Sequence, residues 1–349
     1  MSCWKGKNLE IEIFGTSHSC EIGVKAKGLP SLVLDETAFA EFTARRKAGG
    51  GVFSTSRIEP DLPIFLKGYD NGAIGGDFEA IIKNENVKSG DYSSLYGLPR
   101  PSHADYAWHA KDGALDFSGG GRFSGRLTAP IVIVGGILKQ YLEQKGIRIY
   151  SYLSKVGKVS GKSYKDGVTE DELCEKREFP ALSNAEEMKE EIALKKADGN
   201  SVGAVADAVV FGLKAGIGND YFEGLESKIS SLLFAVPAVK GVEFGAGFSL
   251  AEMTGSESND EWYYDGETVK SRTNNSGGIN GGISNGMPIT LRVAFRPTPS
   301  IAKEQNTVNL ITKENAKIKI GGRHDACVAV RALPAIESAI AIAIADEVI

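Results

Sequence analysis

The chain has 349 residues, 42% of them hydrophobic and 24% charged, with a formal net charge of −5. That composition is ordinary for a soluble globular protein and supplies a large core, as one big domain or two. The acidic balance excludes a general nucleic-acid or membrane-surface binder, and the most apolar stretches, 129–138 and 339–349, fall short of the roughly 20 residues needed to cross a bilayer.

In chain order, Leu9–Phe14 is a short β-like run that stops at a polar loop. Asp35–Arg46 reads as a helix with an acidic start, apolar Phe39 and Phe42, and cations at its end, stopped by Gly49-Gly50-Gly51. Thr128–Gln144 reads as a buried helix, in which Gly135-Gly136 permits close packing. Ser183-Asn184-Ala185-Glu186 has the form of a capping box, opening an exposed helix that runs to Ala197 and closes at Gly199. Val202–Leu213 alternates in part as a strand, with Val205, Val209 and Phe211 assigned to one face and Asp207 to the other. Phe222–Val236 reads as an amphipathic helix, Met287–Phe295 as a strand, and Ala335–Val348 as a helix whose Ala/Ile face suits packing or subunit contact. Residues 154–200 and 254–274 are polar excursions. No Pro- or Ser-rich joint and no repeat divides the chain, so a single domain over 1–349 is expected.

Cys3, Cys20, Cys174 and Cys327 make no Cys-x-x-Cys pair and no zinc-like spacing with histidine. Reduced thiols, a cytoplasmic location and no metal are expected. The start, Met-Ser-Cys-Trp-Lys-Gly-Lys, has no apolar segment of the secretory kind. Gly157-Lys-Val-Ser-Gly161-Lys162-Ser163 has three residues between its glycines where a P-loop has four. A Gly-x-Gly-x-x-Gly fingerprint, a His-Glu-x-x-His pair and a Gly-x-Ser-x-Gly elbow are also missing from the sequence.

Three of the four histidines sit in polar segments: Phe14-Gly-Thr-Ser-His18-Ser, Arg100-Pro-Ser-His103-Ala-Asp105 and Gly321-Gly-Arg-His324-Asp325. Such segments bury little area, and their glycines, cations and titratable groups suit an anion-handling site. The fourth, His109, reads as structural. In Asp116–Thr128, three glycines lead into Arg122 and Arg126 and then a helix, placing amides and guanidiniums where phosphate is favoured. Asn274–Gly286 leads through a strand to Arg296-Pro297-Thr298-Pro299-Ser300. Its amides suit a flat heterocycle with many acceptors, a flavin for example, or else form a long irregular turn.

These segments, in this order and spacing, resemble the chorismate synthase family from about residue 9 to 346. The resemblance implies an α+β fold, a β-α-β sandwich with central helices flanked by antiparallel sheets, assembled as a homotetramer. It implies 1,4-anti elimination of phosphate and the C6 proton from 5-enolpyruvylshikimate-3-phosphate, giving chorismate. Reduced FMN is required with no net redox change, and NADPH is a candidate reductant. Carried over by position, the catalytic residues are His18, His103 and Asp325, the last relaying a proton from the flavin. Ser17, Arg46, Arg57, Arg100, Arg126 and Arg323 would hold the substrate. Arg46, Arg122, Phe123, Ser124, Pro237, Ala238, Gly281, Arg296, Pro297, Thr298, Pro299, Ser300 and Arg323 fall where the family contacts FMN. The chain departs from the family pattern at Thr16, Ser19, Val52, Phe123, Leu127 and Arg296. A flavin-dependent oxidoreductase and an inactive anion-binding relative are the alternative readings.

Overall fold

A computed structural model describes residues 2–47, 60–85, 95–117, 119–321 and 324–349. The chain runs β1 (Ser2–Lys5), β2 (Glu10–Gly15), β3 (Glu21–Val33), α1 (Glu36–Ala44), β4 (Ile64–Asp70), β5 (Ala73–Lys83), α2 (Asp105–Asp112) and α3 (Thr128–Gln144). It continues with β6 (Arg148–Val156), β7 (Val159–Ser160), α4 (Glu170–Cys174), α5 (Ala185–Ala197), β8 (Ala204–Phe211), α6 (Leu225–Phe234), β9 (Val239–Phe244) and α7 (Gly255–Ser258). Then come β10 (Trp262–Asp265), β11 (Thr268–Ser271), β12 (Ile279–Asn280), β13 (Ile283–Ser284), β14 (Ile289–Phe295), β15 (Glu304–Asn309), β16 (Glu314–Lys319) and α8 (Ala329–Val348).

Two five-stranded antiparallel sheets form the outer layers, in the orders β1-β2-β3-β5-β4 and β7-β6-β8-β14-β9. Helices α1, α3, α6 and α8 lie between them, α3 against β3 and α8 against β6 and β8. This is the α+β sandwich the resemblance implied. Strand β3 shows the cause: Ile22, Val24 and Ala26 are buried while Lys25 and Lys27 face out, so one face must be covered. Among the described residues, no helix is long and apolar enough to cross a membrane.

Helix α3 has the expected bounds. Its Gly135 lies against Ser338 of α8 so closely that a Cβ there would sit 2.0 Å from the serine Cβ. Gly136 faces Phe39 and Phe42 of α1. Helix α1 starts as read, with the Asp35 carboxylate accepting from the Ala38 amide at 3.0 Å. It stops at Ala44, because the Arg45, Arg46 and Lys47 amides bond three residues back and tighten the turn.

Four local expectations are corrected. The Ser183–Glu186 capping box does not form, since Asn184 is left-handed at φ 52° and the Ser183 hydroxyl accepts from the Lys162 amide at 2.7 Å. Asp207 shares its face with Val205, Val209 and Phe211, as period-two alternation requires, and it is buried, accepting from Ser163 at 2.7 Å. The helix expected from Phe222 starts at Leu225, because Tyr221–Glu223 is a 3-10 turn entered at φ 47°. Helix α8 begins at Ala329 and carries Pro334 inside it, where the sequence reading started at Ala335. It is buried on nearly every side from Ala332 to Asp346, which fits a helix in the middle of a sandwich. The Gly157 segment is the tight turn joining β6 to β7, at φ 55°.

Replacing Gly135 with alanine should force α3 away from α8 and cost roughly 1–3 kcal/mol of stability, as overpacking a tight core does. Denaturant unfolding of Gly135→Ala measures this.

Candidate active site

Three polar loops gather at one end of the sandwich. The loop after β2 closes on itself: the Thr16 amide donates to Ser19 Oγ at 2.8 Å, and the Ser19 amide to Thr16 Oγ1 at 3.1 Å. Two departures from the family pattern are therefore partners. Asn84 Nδ2 donates to the Ser19 carbonyl at 2.7 Å, and the Ser17 amide to the Gly121 carbonyl at 3.2 Å. Ser17 is buried, its hydroxyl 2.9 Å from His18 Nδ1. The His18 ring lies on Gly119, whose φ is +57° and where a Cβ would come within 1.9 Å of ring Cε1.

Gly119 also touches the second loop, since Arg100 Nη2 donates to its carbonyl at 2.5 Å. Arg100 grips Asp105 with two parallel bonds, Nε to Oδ2 at 2.7 Å and Nη2 to Oδ1 at 2.8 Å. His103 Nδ1 is 2.5 Å from Asp105 Oδ1 and 3.2 Å from Arg100 Nη2. The close carboxylate requires the proton on Nδ1, which leaves Nε2 for proton exchange. Burial opposes ionisation of Asp105, but its bonds to Arg100 and His103 outweigh that and hold the carboxyl down at about 2.

Beside these loops, Asp61 joins two buried arginines. Arg46 Nη1 donates to Asp61 Oδ2 at 2.8 Å, and Arg126 Nη1 donates to Oδ1. Arg46 also donates to Thr128 Oγ1 at 2.8 Å and to the carbonyls of Gly125 and Arg126 at 2.9 and 3.1 Å. Burial pushes Arg46 down to about 9, and the charges of Arg331 and Arg126 add to that against the pull of Asp61. Arg126 Nε donates to Asn84 Oδ1 at 2.8 Å. Arg126 thus turns inward, away from the helix mouth that its sequence position suggested. Arg122 lies over Trp108, its guanidinium 4.6 Å from the ring centre, and Phe123 meets the same ring edge-on at 5.5 Å. The Ser124 hydroxyl accepts from the Arg126 amide at 3.2 Å.

The third loop brings Asp325, which is buried and accepts from Arg331 Nε at 3.0 Å and Nη2 at 2.5 Å on one oxygen. His324 Nε2 is 3.2 Å from the Gly321 carbonyl. Burial pushes this imidazole below its usual range, and the charges of Arg100 and His103 add to the effect. Ala326 accepts from the Val202 amide at 2.8 Å, while Ser201 donates to the Thr298 carbonyl at 2.7 Å, tying this loop to the one after β14. There the Arg296 amide donates to Ala238, itself at φ 75° after Pro237, and its guanidinium donates to Ser102 beside His103. Pro297, Pro299 and buried Ser300 complete the loop.

Gly281 is not brought to this end. It is the exposed turn between β12 and β13, and Gly282 beside it accepts from Leu225 at the start of α6. The six-residue rise of β14 separates that hairpin from Arg296, about 20 Å. The Asn274–Gly286 stretch is thus largely a hairpin with its approach. Arg57, Val52 and Arg323 lie outside the described residues. His109 Nδ1 is 2.9 Å from the Ala114 carbonyl of its own loop, a structural contact. All four cysteines are free thiols, and burial raises Cys327 to about 12.

Sequence reasoning missed Asp61, Arg331 and Gln305. Asp61 carries no local signal. Arg331 stands six residues after Asp325 but was left outside the helix that aims it. Gln305 lies on the face of β15 that also carries Thr307, whose hydroxyl donates to Pro99. The buried atoms Arg296 Nε, Thr298 Oγ1 and Gln305 Nε2 have no hydrogen-bond partner. They fit an acceptor-rich ligand edge.

The sequence matches the chorismate synthase family over residues 9–349. It is 40% identical to a chorismate synthase of Thermococcus kodakarensis over 99% of this chain and 97% of that one. It is 41% identical to a chorismate synthase of Methanobrevibacter smithii over 99% and 95%. A crystal structure of chorismate synthase superposes with a TM-score of 0.75 at 24% identity, covering 98% of this chain and 92% of the other.

Two outcomes follow from the ion pairs. Asp61 has φ 48°, which asparagine tolerates, so Asp61→Asn removes the charge without straining the backbone. Leaving two buried guanidiniums unmatched should cost roughly 3–5 kcal/mol in denaturant unfolding. The folded value of Asp105 is depressed to about 2, below its unfolded value of roughly 3.9. Its stabilisation is therefore complete above the unfolded value and lost as pH falls toward the folded one. Between pH 4 and 2, the denaturation midpoint of Asp105→Asn should fall less than that of the unaltered protein.

Proposed function

The chain belongs to the chorismate synthase family, and from that premise we propose how its polar end serves the family's reaction. The reaction is the 1,4-anti elimination of phosphate and the C6 proton from 5-enolpyruvylshikimate-3-phosphate, a carbon–oxygen lyase step that gives chorismate for aromatic amino-acid synthesis. The single observation carrying the assignment of residues is the shared contact at Gly119: one imidazole rests on it and the brace of the other bonds to it.

The C6 hydrogen is too weakly acidic for a simple base. Reduced FMN, when bound, would supply reversible electron donation to the allylic system with no net redox change. Carried over by position, Arg46, Arg122, Phe123, Ser124, Pro237, Ala238, 296–300 and Arg323 would hold that cofactor. The unpartnered atoms of Arg296, Thr298 and Gln305 support this, because a flavin's pyrimidine edge offers acceptors to their donors.

In this reading Ser17, Arg57, Arg100 and Arg323 receive the carboxylates and phosphate, and Arg46 and Arg126, buried on Asp61, add positive charge behind them. Asp61 and Asp105 already fix Arg46, Arg126 and Arg100, so little reorganisation accompanies substrate binding. His103, with Nδ1 committed to Asp105, exchanges its proton at Nε2. His18 is the second histidine, and one of the two acts near the leaving phosphate, the other near the flavin. Asp325 would serve as the proton-relay carboxylate of the site. Gly281 stands apart from the other carried-over flavin contacts within one chain, and the homotetramer is part of this proposal. A single domain, a cytoplasmic location and NADPH as reductant belong to the same proposal.

The test mixes the protein with chemically reduced FMN and the enolpyruvyl substrate. Phosphate and chorismate should form together while the flavin stays reduced. Stoichiometric flavin oxidation would point to an oxidoreductase instead, and binding without turnover to an inactive relative. His103→Ala should lower turnover by ~10²–10⁴, and unchanged turnover would remove this imidazole from the mechanism.

A further inference from the structure

Helix α8 is apolar along almost its whole buried length, so each of its charged residues needs a reason. Glu337 takes Arg45 in a paired bond, Nη2 to Oε1 at 2.6 Å and Nη1 to Oε2 at 3.0 Å. Asp346 accepts from the Lys7, Asn8 and Leu9 amides at 2.7–2.8 Å and so pins the N-terminal turn. Glu347 pairs with Lys228, and Arg331, in the first turn of the helix, reaches back to Asp325.

We infer that Arg331 is a positioning residue for Asp325. Its Nε and Nη2 both donate to Oδ2, at 3.0 and 2.5 Å, with side-chain exposures of 20% for Arg331 and 8% for Asp325. A guanidinium is a rigid planar fork, and two of its charge-assisted donors converging on one oxygen fix where that oxygen sits. Both bonds fall on Oδ2, so Arg331 anchors the carboxylate through that oxygen. The anchor is itself rigid, because α8 packs against α3, α6, β6 and β8. The loop carrying Asp325 is held further by the Ala326–Val202 bond and by buried Cys327. The charge of Arg331 also bears on Arg46, so the same side chain joins the Asp325 and Asp61 groups into one field.

This inference rests on the proposed role of Asp325 in proton relay, and the test separates the two. Arg331→Gln, Arg331→Lys, Asp325→Asn and the double variant Arg331→Gln/Asp325→Asn are compared for kcat, KM, FMN affinity by fluorescence, and thermal midpoint. A misaimed proton carrier should lower kcat by ~10–100-fold in Arg331→Gln. KM and FMN affinity should stay within about twofold, because substrate and cofactor binding are not what is lost. Arg331→Lys, which keeps the charge but not the fork, should recover part of kcat, and the double variant should be no slower than Asp325→Asn. Wild-type kcat in Arg331→Gln, or full additivity in the double variant, overturns the inference. Unchanged kcat in Asp325→Asn overturns the relay reading instead. Should Arg331→Gln fail to fold, Arg331→Lys decides: a kcat loss that vanishes in the Asp325→Asn background supports positioning, and wild-type kcat overturns it.

Discussion

A guanidinium withdrawn from water must be met at close range by a carboxylate and by carbonyl acceptors. The end of the sandwich that carries the histidines is organised by that constraint. Asp61 serves Arg46 and Arg126, Asp105 serves Arg100 and Asp325 serves Arg331, while buried Glu337 is itself met by the exposed Arg45. The Arg126–Asp61 and Arg45–Glu337 pairs join segments distant in sequence, so those two are also joints between elements. Burial works against ionisation of Glu337, yet Arg45 and Lys139 outweigh it and hold the carboxyl below its usual range. A protein of net charge −5 can thereby concentrate arginines where a multiply anionic ligand would bind, because the balancing acids are placed among them.

The second constraint is steric. Gly119 admits the His18 ring on one side and offers its carbonyl to Arg100 on the other, and any side chain there would displace the imidazole. Gly135 has the matching role in the core, where it lets α3 and α8 approach. The helix layer is thin enough for α8 to reach both the Asp325 loop and the end of α1. The departures from the family pattern are absorbed locally. Thr16 and Ser19 exchange hydrogen bonds within one turn, and Phe123 packs on the Trp108 ring that Arg122 also covers.

Helix α8 couples the two constraints. Its apolar residues fill the centre of the sandwich, and Asp346, Glu337 and Arg331 reach the N-terminal turn, the end of α1 and the Asp325 loop. Stability and site geometry therefore share one element, and a change in how α8 packs would move Asp325 and Arg45 together.

Local pattern by itself determined helix α3, most of α1, β2, β8 and β14, and the three polar histidine loops, because periodicity and Gly/Arg/Ser/Asp clustering are short-range signals. Resemblance to a family supplied the sandwich and the positions of the site residues. Only tertiary structure decided which charges pair. Asp61 has no motif around it and gains its meaning from Arg46 and Arg126, fifteen and sixty-five residues away. Arg331 lay hidden because Pro334 reads as a helix boundary, whereas packing on all sides carries α8 through it. The Ser183 box failed since Lys162, from another segment, competed for the same hydroxyl. In each case the deciding partner lies far along the chain, and contact at that range is set by how the layers stack.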